Sequence, residues 1–208
     1  MNRRTAAFSI LGAVACLASG RAEDDGERLI RGDDPGQFEL FGIAPGSIRV
    51  QDGEVRLLGK PFGLFATRGQ YQDFTLTFEW MFERPDDLVD DARFRGNSGV
   101  ILQLTPPLAA WPKGVEVQLA QADPGSIFPL GDARFEGKSD PEAQRRAVKA
   151  VGAWNRSEIT ARAGTILSVL NGVEVARGVR SDPVRGPIAW QSEGKPIRFR
   201  AIRIRPIG

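Results

Sequence analysis

The stretch "WPKGVEVQLAQAD", Trp111 to Asp123, holds the first residues with chemistry in them. Its centre alternates apolar and polar. As a strand it places Val115, Val117 and Leu119 on one face, with Glu116 and Gln118 on the other. A carboxylate next to an amide on one face can serve as a base beside a hydroxyl ligand, or both can simply meet water. Alternation alone does not choose. The rest of the chain narrows the chemistry, because it has no histidine and its single cysteine is Cys16. Ser-His-Asp and Cys-His catalysis and histidine-ligated zinc are excluded. Acid–base work falls to carboxylates, lysine or tyrosine.

The elements that would position these groups are short strands. Asp52-Gly53 and Asn171-Gly172 each separate two apolar runs and signal two-residue hairpins. Residues 74–82 alternate with Phe74, Leu76, Phe78 and Trp80 on one face, which makes Trp80 core. Residues 99–104, "GVILQL", are apolar enough for a strand covered on both sides. Residues 157–161, 186–191 and 197–204 complete the set. In the last, Ile197 and Phe199 share a parity that Ile202 and Ile204 reverse, so a bulge is expected near Ala201. Arg198, Arg200, Arg203 and Arg205 read as a solvated sheet face. One short helix is expected over residues 141–150, with Asp140 as N-cap and Pro141 in the first turn. Residues 84–96 and 123–139 read as loops. The pattern indicates an all-β fold, an antiparallel sandwich or jelly roll.

The N-terminus reads as a targeting segment. Arg3 and Arg4 precede an apolar run over residues 6–18, and small residues at Gly20 and Ala22 offer a cleavage site. The run is too short to span a bilayer as a helix, and no other membrane span is expected. Residues 1–22 are thus expected to be a signal peptide, residues 23–36 a lead-in, and residues 37–208 one domain. The mature protein would be secreted or periplasmic. Lipid attachment at Cys16 is the weaker alternative, because the preceding residues lack a large aliphatic side chain. Cleavage would remove three arginines and no acid, leaving 25 basic against 26 acidic residues, so the net charge moves from +2 to −1. With no basic run interleaved with aromatics, nucleic acid is not an expected partner.

Several pieces occur in a suggestive order: "YQDFTLTFEW", "GNSGVILQL", "GVEVQL", "VGAWNRSEI", "TILSVLNGVEV" and "IAWQSEGKPIRFRAIRI". Together they resemble the 3-keto-disaccharide hydrolase domain family, over roughly residues 38–206. The resemblance implies a concanavalin A-like sandwich, in agreement with the strand pattern. It also implies a substrate, an oligosaccharide or glycoside whose sugar is oxidised to a ketone at C3. That ketone acidifies the C2 hydrogen. A base can remove it, the C1 leaving group departs, and water can add back. Such a site needs a base, a group that stabilises the enolate and help for the leaving group. Some relatives use a divalent metal for the enolate, and Glu116 is a ligand the resemblance offers for it.

On that resemblance Glu116 and Gln118 match an "E-x-Q" strand, with Glu116 as base or metal ligand and Gln118 as sugar ligand. Glu193 is the second carboxylate. Asn97, Gln103 and Gln191 would bind hydroxyls, and Trp111 and Phe128 would offer stacking faces; Trp154 reads rather as an anchor. Two departures stand out. Many relatives follow the strand with an aspartate, where this chain has Ala120-Gln121-Ala122 and Asp123 only later. Many carry a histidine where this chain has "WQSEG", as in a planctomycete-like branch. These departures keep a second reading open, a non-catalytic glycan-binding module. A partner-binding envelope domain is a third. The "DDLVDD" run at residues 86–91 lacks calcium-ligand spacing and reads as a solvated loop.

Overall fold

The computed structural model describes residues 26–109 and 111–208; the expected signal segment and Cys16 lie outside them. Along the chain run β1 (Glu27–Arg28), β2 (Glu39–Phe41), β3 (Ile48–Gln51), β4 (Glu54–Leu57), β5 (Gly63–Ala66), β6 (Phe74–Phe82), β7 (Gly99–Leu102) and β8 (Gly114–Gln118). Then follow β9 (Ile127–Leu130), β10 (Phe135–Ser139), helix α1 (Pro141–Ala147), β11 (Asn155–Arg162), β12 (Thr165–Leu170), β13 (Val173–Arg180), β14 (Ala189–Ser192) and β15 (Ile197–Pro206). They form two antiparallel sheets. The larger is ordered β10-β13-β12-β11-β6-β15-β4-β3, with β1 also on β15; the smaller is ordered β2-β5-β14-β7-β8-β9.

The local signals act as their chemistry requires. Asp52-Gly53 and Asn171-Gly172 close β3–β4 and β12–β13 with positive φ at all four residues, the primed turn that matches strand twist. Ala163-Gly164 closes β11–β12 the same way, a turn that the alanine hid. The bulge falls at Ala201, which has φ 51°, and the β15–β6 register shifts between Arg200 and Arg203. Asp140 caps α1 by accepting from the Glu142 and Ala143 amides, but the helix stops at Ala147 because Val148 is extended. Residues 123–139 are not all loop: β9 and β10 lie there. Pro129 is tolerated because β9 is an edge strand. The lead-in is also partly built in, since β1 pairs with β15 and Ile30 reaches the core.

The sheets enclose one apolar core. Phe65 stacks on Trp190 at 5.0 Å and 8° between planes; Phe199 meets Phe65 and Phe78 meets Trp190 edge-on, and Phe78 and Phe199 lie tilted against each other. Trp80 is buried as expected and donates its indole N–H to Ser157 Oγ. Two quoted motifs have a structural use. Asn155 of "AWN" accepts at Oδ1 from the Lys149 amide and from Asn171 Nδ2, and Asn171 of "LNG" also donates to the Ala147 carbonyl. This knot ties the end of α1 to the β12–β13 hairpin. Asp90 and Asp91 likewise act locally: Asp90 caps a short 3-10 turn, and Asp91 accepts from Arg84 and the Val151 amide. On the outer face of the larger sheet Arg198, Arg200 and Arg203 are half covered and Arg205 is exposed, Arg198 pairing with Glu54 and Arg200 with Glu79. Trp154 lies on that face beneath Arg200, 4.0 Å from ring centre to guanidinium.

Candidate functional site

Strand β8 sends Val115 and Val117 into the core between the sheets and Glu116 to the outer face of the smaller sheet. The register decides its neighbours. Glu116 stands opposite Ile101 of β7 and Phe128 of β9, and Gln118 stands opposite Gly99. On β14, Trp190 points inward and Gln191 outward, so Gln191 reaches across β7 toward β8. Gly99 leaves the room for this meeting. A methyl group there would stand 2.1 Å from Glu116 Oε1 and 2.3 Å from Gln191 Oε1. Gln191 Nε2 donates to Glu116 Oε2 over 3.4 Å. Ser98 holds the three strands in step: its Oγ donates to the Gln191 carbonyl, and its carbonyl accepts from the Leu119 amide.

This packing sets the electrostatics. Glu116 is only 3% exposed. Burial pushes its carboxyl up to about 7, the negative charges of Glu193 and Asp123 push the same way, and the Gln191 hydrogen bond opposes them. A carboxyl with that value is part acid and part base at neutral pH, the condition for general acid–base work. Glu193, half-buried just past β14, bridges to Asn97. Two amide oxygens here are buried without a partner, Asn97 Oδ1 and Gln191 Oε1. Both are acceptors that a hydroxyl could satisfy. Trp111, 56% exposed, lines a shallow depression with Gln191 and Glu193.

Glu116, Gln191, Glu193 and Asn97 therefore come together, with Phe128 beside Glu116 and Trp111 at the rim. Gln118 shares the face, but its Oε1 accepts from the Leu119 and Ala120 amides and so closes the strand end. Gln103 does not share it. Strand β7 ends at Leu102, and Gln103 takes φ 50°, which breaks the alternation expected of residues 99–104. Its amide instead donates to the Gln72 carbonyl and accepts from Arg180. Asp123 is the group that reading along the strand missed. The turn "DPG" returns the chain, with the Gly125 amide on the Gln118 carbonyl and the Ser126 carbonyl on the Gln118 amide. The acid absent from the strand itself is thereby brought within electrostatic reach of Glu116.

The outer face is also partly roofed. Leu64, Ala66, Ile101 and Ala189 form a small second apolar cluster, onto which Leu104 and Leu108 of the β7–β8 connection pack. Both ends of that connection are tied to one ion pair. Arg180 is fully buried, donates to the Gln103 carbonyl at 2.9 Å and pairs with Asp182 at 3.1 Å; Asp182 in turn pairs with Lys113 at 3.3 Å. The connection that carries Trp111 is thus anchored at both ends by this network.

Gly99→Ala tests the arrangement at small structural cost. The new methyl meets only the ends of two side chains, so stability is expected to fall by no more than about 2 kcal/mol. Glu116 and Gln191 must however move apart, and any activity of the site should drop at least tenfold. Unchanged activity would show that their meeting over Gly99 has no functional part.

All the side-chain donors gathered here are oxygens, but no group of three or more carboxylates stands ready to hold a metal ion among the described residues. The residues described do not fit a preformed metal centre. Among the described residues no helix is long and apolar enough to cross a membrane.

The fold has solved counterparts. A Parabacteroides distasonis protein provisionally called a glycosyl hydrolase is 20% identical and aligns over 88% of this chain and 100% of its own, with a TM-score of 0.66. A Bacillus subtilis protein with a galectin-like fold is 12% identical over 86% and 93%, with a TM-score of 0.56. The exoplasmic/lumenal domain of VIP36, in a form bound to Ca2+ and Man3GlcNAc, is 10% identical over 86% and 88%, with a TM-score of 0.54. These show a galectin-like or concanavalin A-like sandwich. No curated protein matches the chain. The model of the 3-keto-alpha-glucoside-1,2-lyase-like domain matches residues 21–205, and the chain belongs to that family.

Proposed function

We propose that this protein is an exported carbohydrate-active enzyme that cleaves 3-keto-glycosides, with Glu116 as the base. The observation that carries the reading is the buried Glu116, its carboxyl held near 7 against the Gln191 amide and beside Glu193. The C3 ketone of the substrate makes C2–H acidic. Glu116, ionised, takes that proton; the C2–H electron pair enters the enolate and then forms the C1–C2 double bond as the C1–O bond breaks. The departing oxygen takes a proton from water, the hydroxide so formed adds at C1, and Glu116 returns its proton to C2, which completes hydrolysis and restores the base. Asn97 and Gln191 have free amide oxygens for ring hydroxyls. Export rests on the basic and apolar start of the chain.

The mature protein, incubated with 3-keto-trehalose or 3-keto-sucrose, is expected to release the free sugar. Because the base must be ionised, kcat/KM should fall about tenfold per pH unit below about 7 and level off above it. No product at pH 6 to 9, with or without added divalent metal, would sink the proposal. The likeness to the glycan-bound VIP36 domain supports a second reading, sugar binding without turnover. Calorimetric binding of the keto-disaccharide with no product would select it.

A further inference from the structure

We propose that Phe62 and Trp111 form an aromatic subsite for the second ring of the glycoside, the one that leaves or continues the chain. This rests on the sugar-cleaving reading and extends it to a residue, Phe62, that no strand pattern singled out. Phe62 is 49% exposed and Trp111 is 56% exposed, although 40 apolar side chains among the described residues are buried. Leaving rings of this size in water forgoes the gain of burying them. They come from connections far apart in sequence, just before β5 and shortly before β8, and strands β14 and β7 separate those two strands in the sheet. Yet both line one depression, with Gly63, Gln191, Ser192 and Glu193.

The lining has two chemistries, and a pyranose ring has the same two. Aromatic faces suit the apolar C–H faces of a sugar. The hydroxyl edge meets the Glu193 carboxylate and Gln191 Oε1, an acceptor on a side chain only 3% exposed that lacks any partner. The amide is oriented by its own bond, since Nε2 is engaged with Glu116. The depression is too shallow to enclose a ring, which is what a stacking platform requires. Glu116 does not line it. The ring whose C2 must reach Glu116 therefore lies beyond Gln191, and the ring on Phe62 and Trp111 is its neighbour.

Phe62→Ala, measured on a methyl 3-keto-glucoside and on 3-keto-trehalose, separates one ring from two. The ratio of kcat/KM for the two-ring over the one-ring substrate is expected to fall about tenfold, mostly through KM. An unchanged ratio would overturn the subsite, whatever happens to the absolute rates. Fluorescence keeps the test independent of turnover, because Trp80 and Trp190 are buried and Trp154 is half-buried under Arg200 on the larger sheet, while Trp111 is exposed. Titration of the whole protein with trehalose should give a saturable change that Phe62→Ala weakens and Trp111→Phe removes. If the wild type cleaves neither substrate, the cleavage reading fails and this titration decides the subsite alone. No saturable change would overturn it.

Discussion

Glu116→Gln is expected to abolish turnover and at the same time to stabilise the protein above neutral pH. The two effects share one cause. An unfolded chain ionises Glu116 near its ordinary value of 4.5, while the folded protein holds the proton up to about 7. Between those values the folded state binds more protons than the unfolded state, so rising pH favours unfolding. The penalty is absent below about 4.5, grows through the interval and is complete above 7, where it amounts to roughly 3 kcal/mol. Glutamine fills the same space, cannot ionise and carries no such penalty. Denaturant unfolding of both proteins at pH 4.5 and pH 8 checks this. Near-equal stability at the acid end and a gain of about 2–3 kcal/mol for Glu116→Gln at the alkaline end are expected, with activity down at least a thousandfold. Equal destabilisation at both pH values would mean that Glu116 is a structural acid, and activity retained in the variant would remove it as the base.

Arg180→Met is expected to be the most destabilising single change away from the core, by about 3 kcal/mol. The side chain is fully buried and makes three bonds that methionine cannot, to the Gln103 carbonyl, to Gln103 Oε1 and to Asp182. Removing one partner of a buried charged network costs about 3–5 kcal/mol when the other charge is stranded. Here the estimate sits at the low end for two reasons. Asp182 keeps Lys113 and the Arg134 amide, and Arg180 Nη2 already lacks a partner. Urea midpoints compared at constant m-value read the effect. A loss below 1 kcal/mol would show that the network is dispensable. Because both ends of the Trp111 connection hang on this pair, loss of trehalose binding should accompany the loss of stability. Asp182→Asn, on a more exposed group, should do less of each.

Much of the fold was legible along the chain because its determinants are local. Asp-Gly and Asn-Gly place hairpins by themselves, since those residues tolerate the backbone the turn demands. The parity reversal around Ala201 located the bulge for the same reason: alternation must skip where one extra residue enters a strand. Alternation likewise put Glu116 on the polar face of its strand, while Gln191 was singled out only by the resemblance. It misled at Gln103, because a single positive φ after Leu102 ends the strand rule, and nothing in the side chain announces that angle. It could not reveal that Gln118 would spend its carbonyl on its own backbone.

What the sequence by itself determined is the kind of chemistry and the kind of sheet. The absence of histidine left carboxylates, lysine or tyrosine as the acid–base groups, and the strand pattern required a sandwich with Glu116 on a polar face. What only the tertiary structure decided is the company that Glu116 keeps. Strand order brings β14 beside β7, the lack of a side chain at Gly99 lets Gln191 close over Glu116, and the Asp-Pro-Gly turn folds Asp123 back toward it. A carboxyl's proton affinity depends on burial and on charges a few ångströms away. Those distances join residues remote in sequence, so they exist only once the sheets have formed.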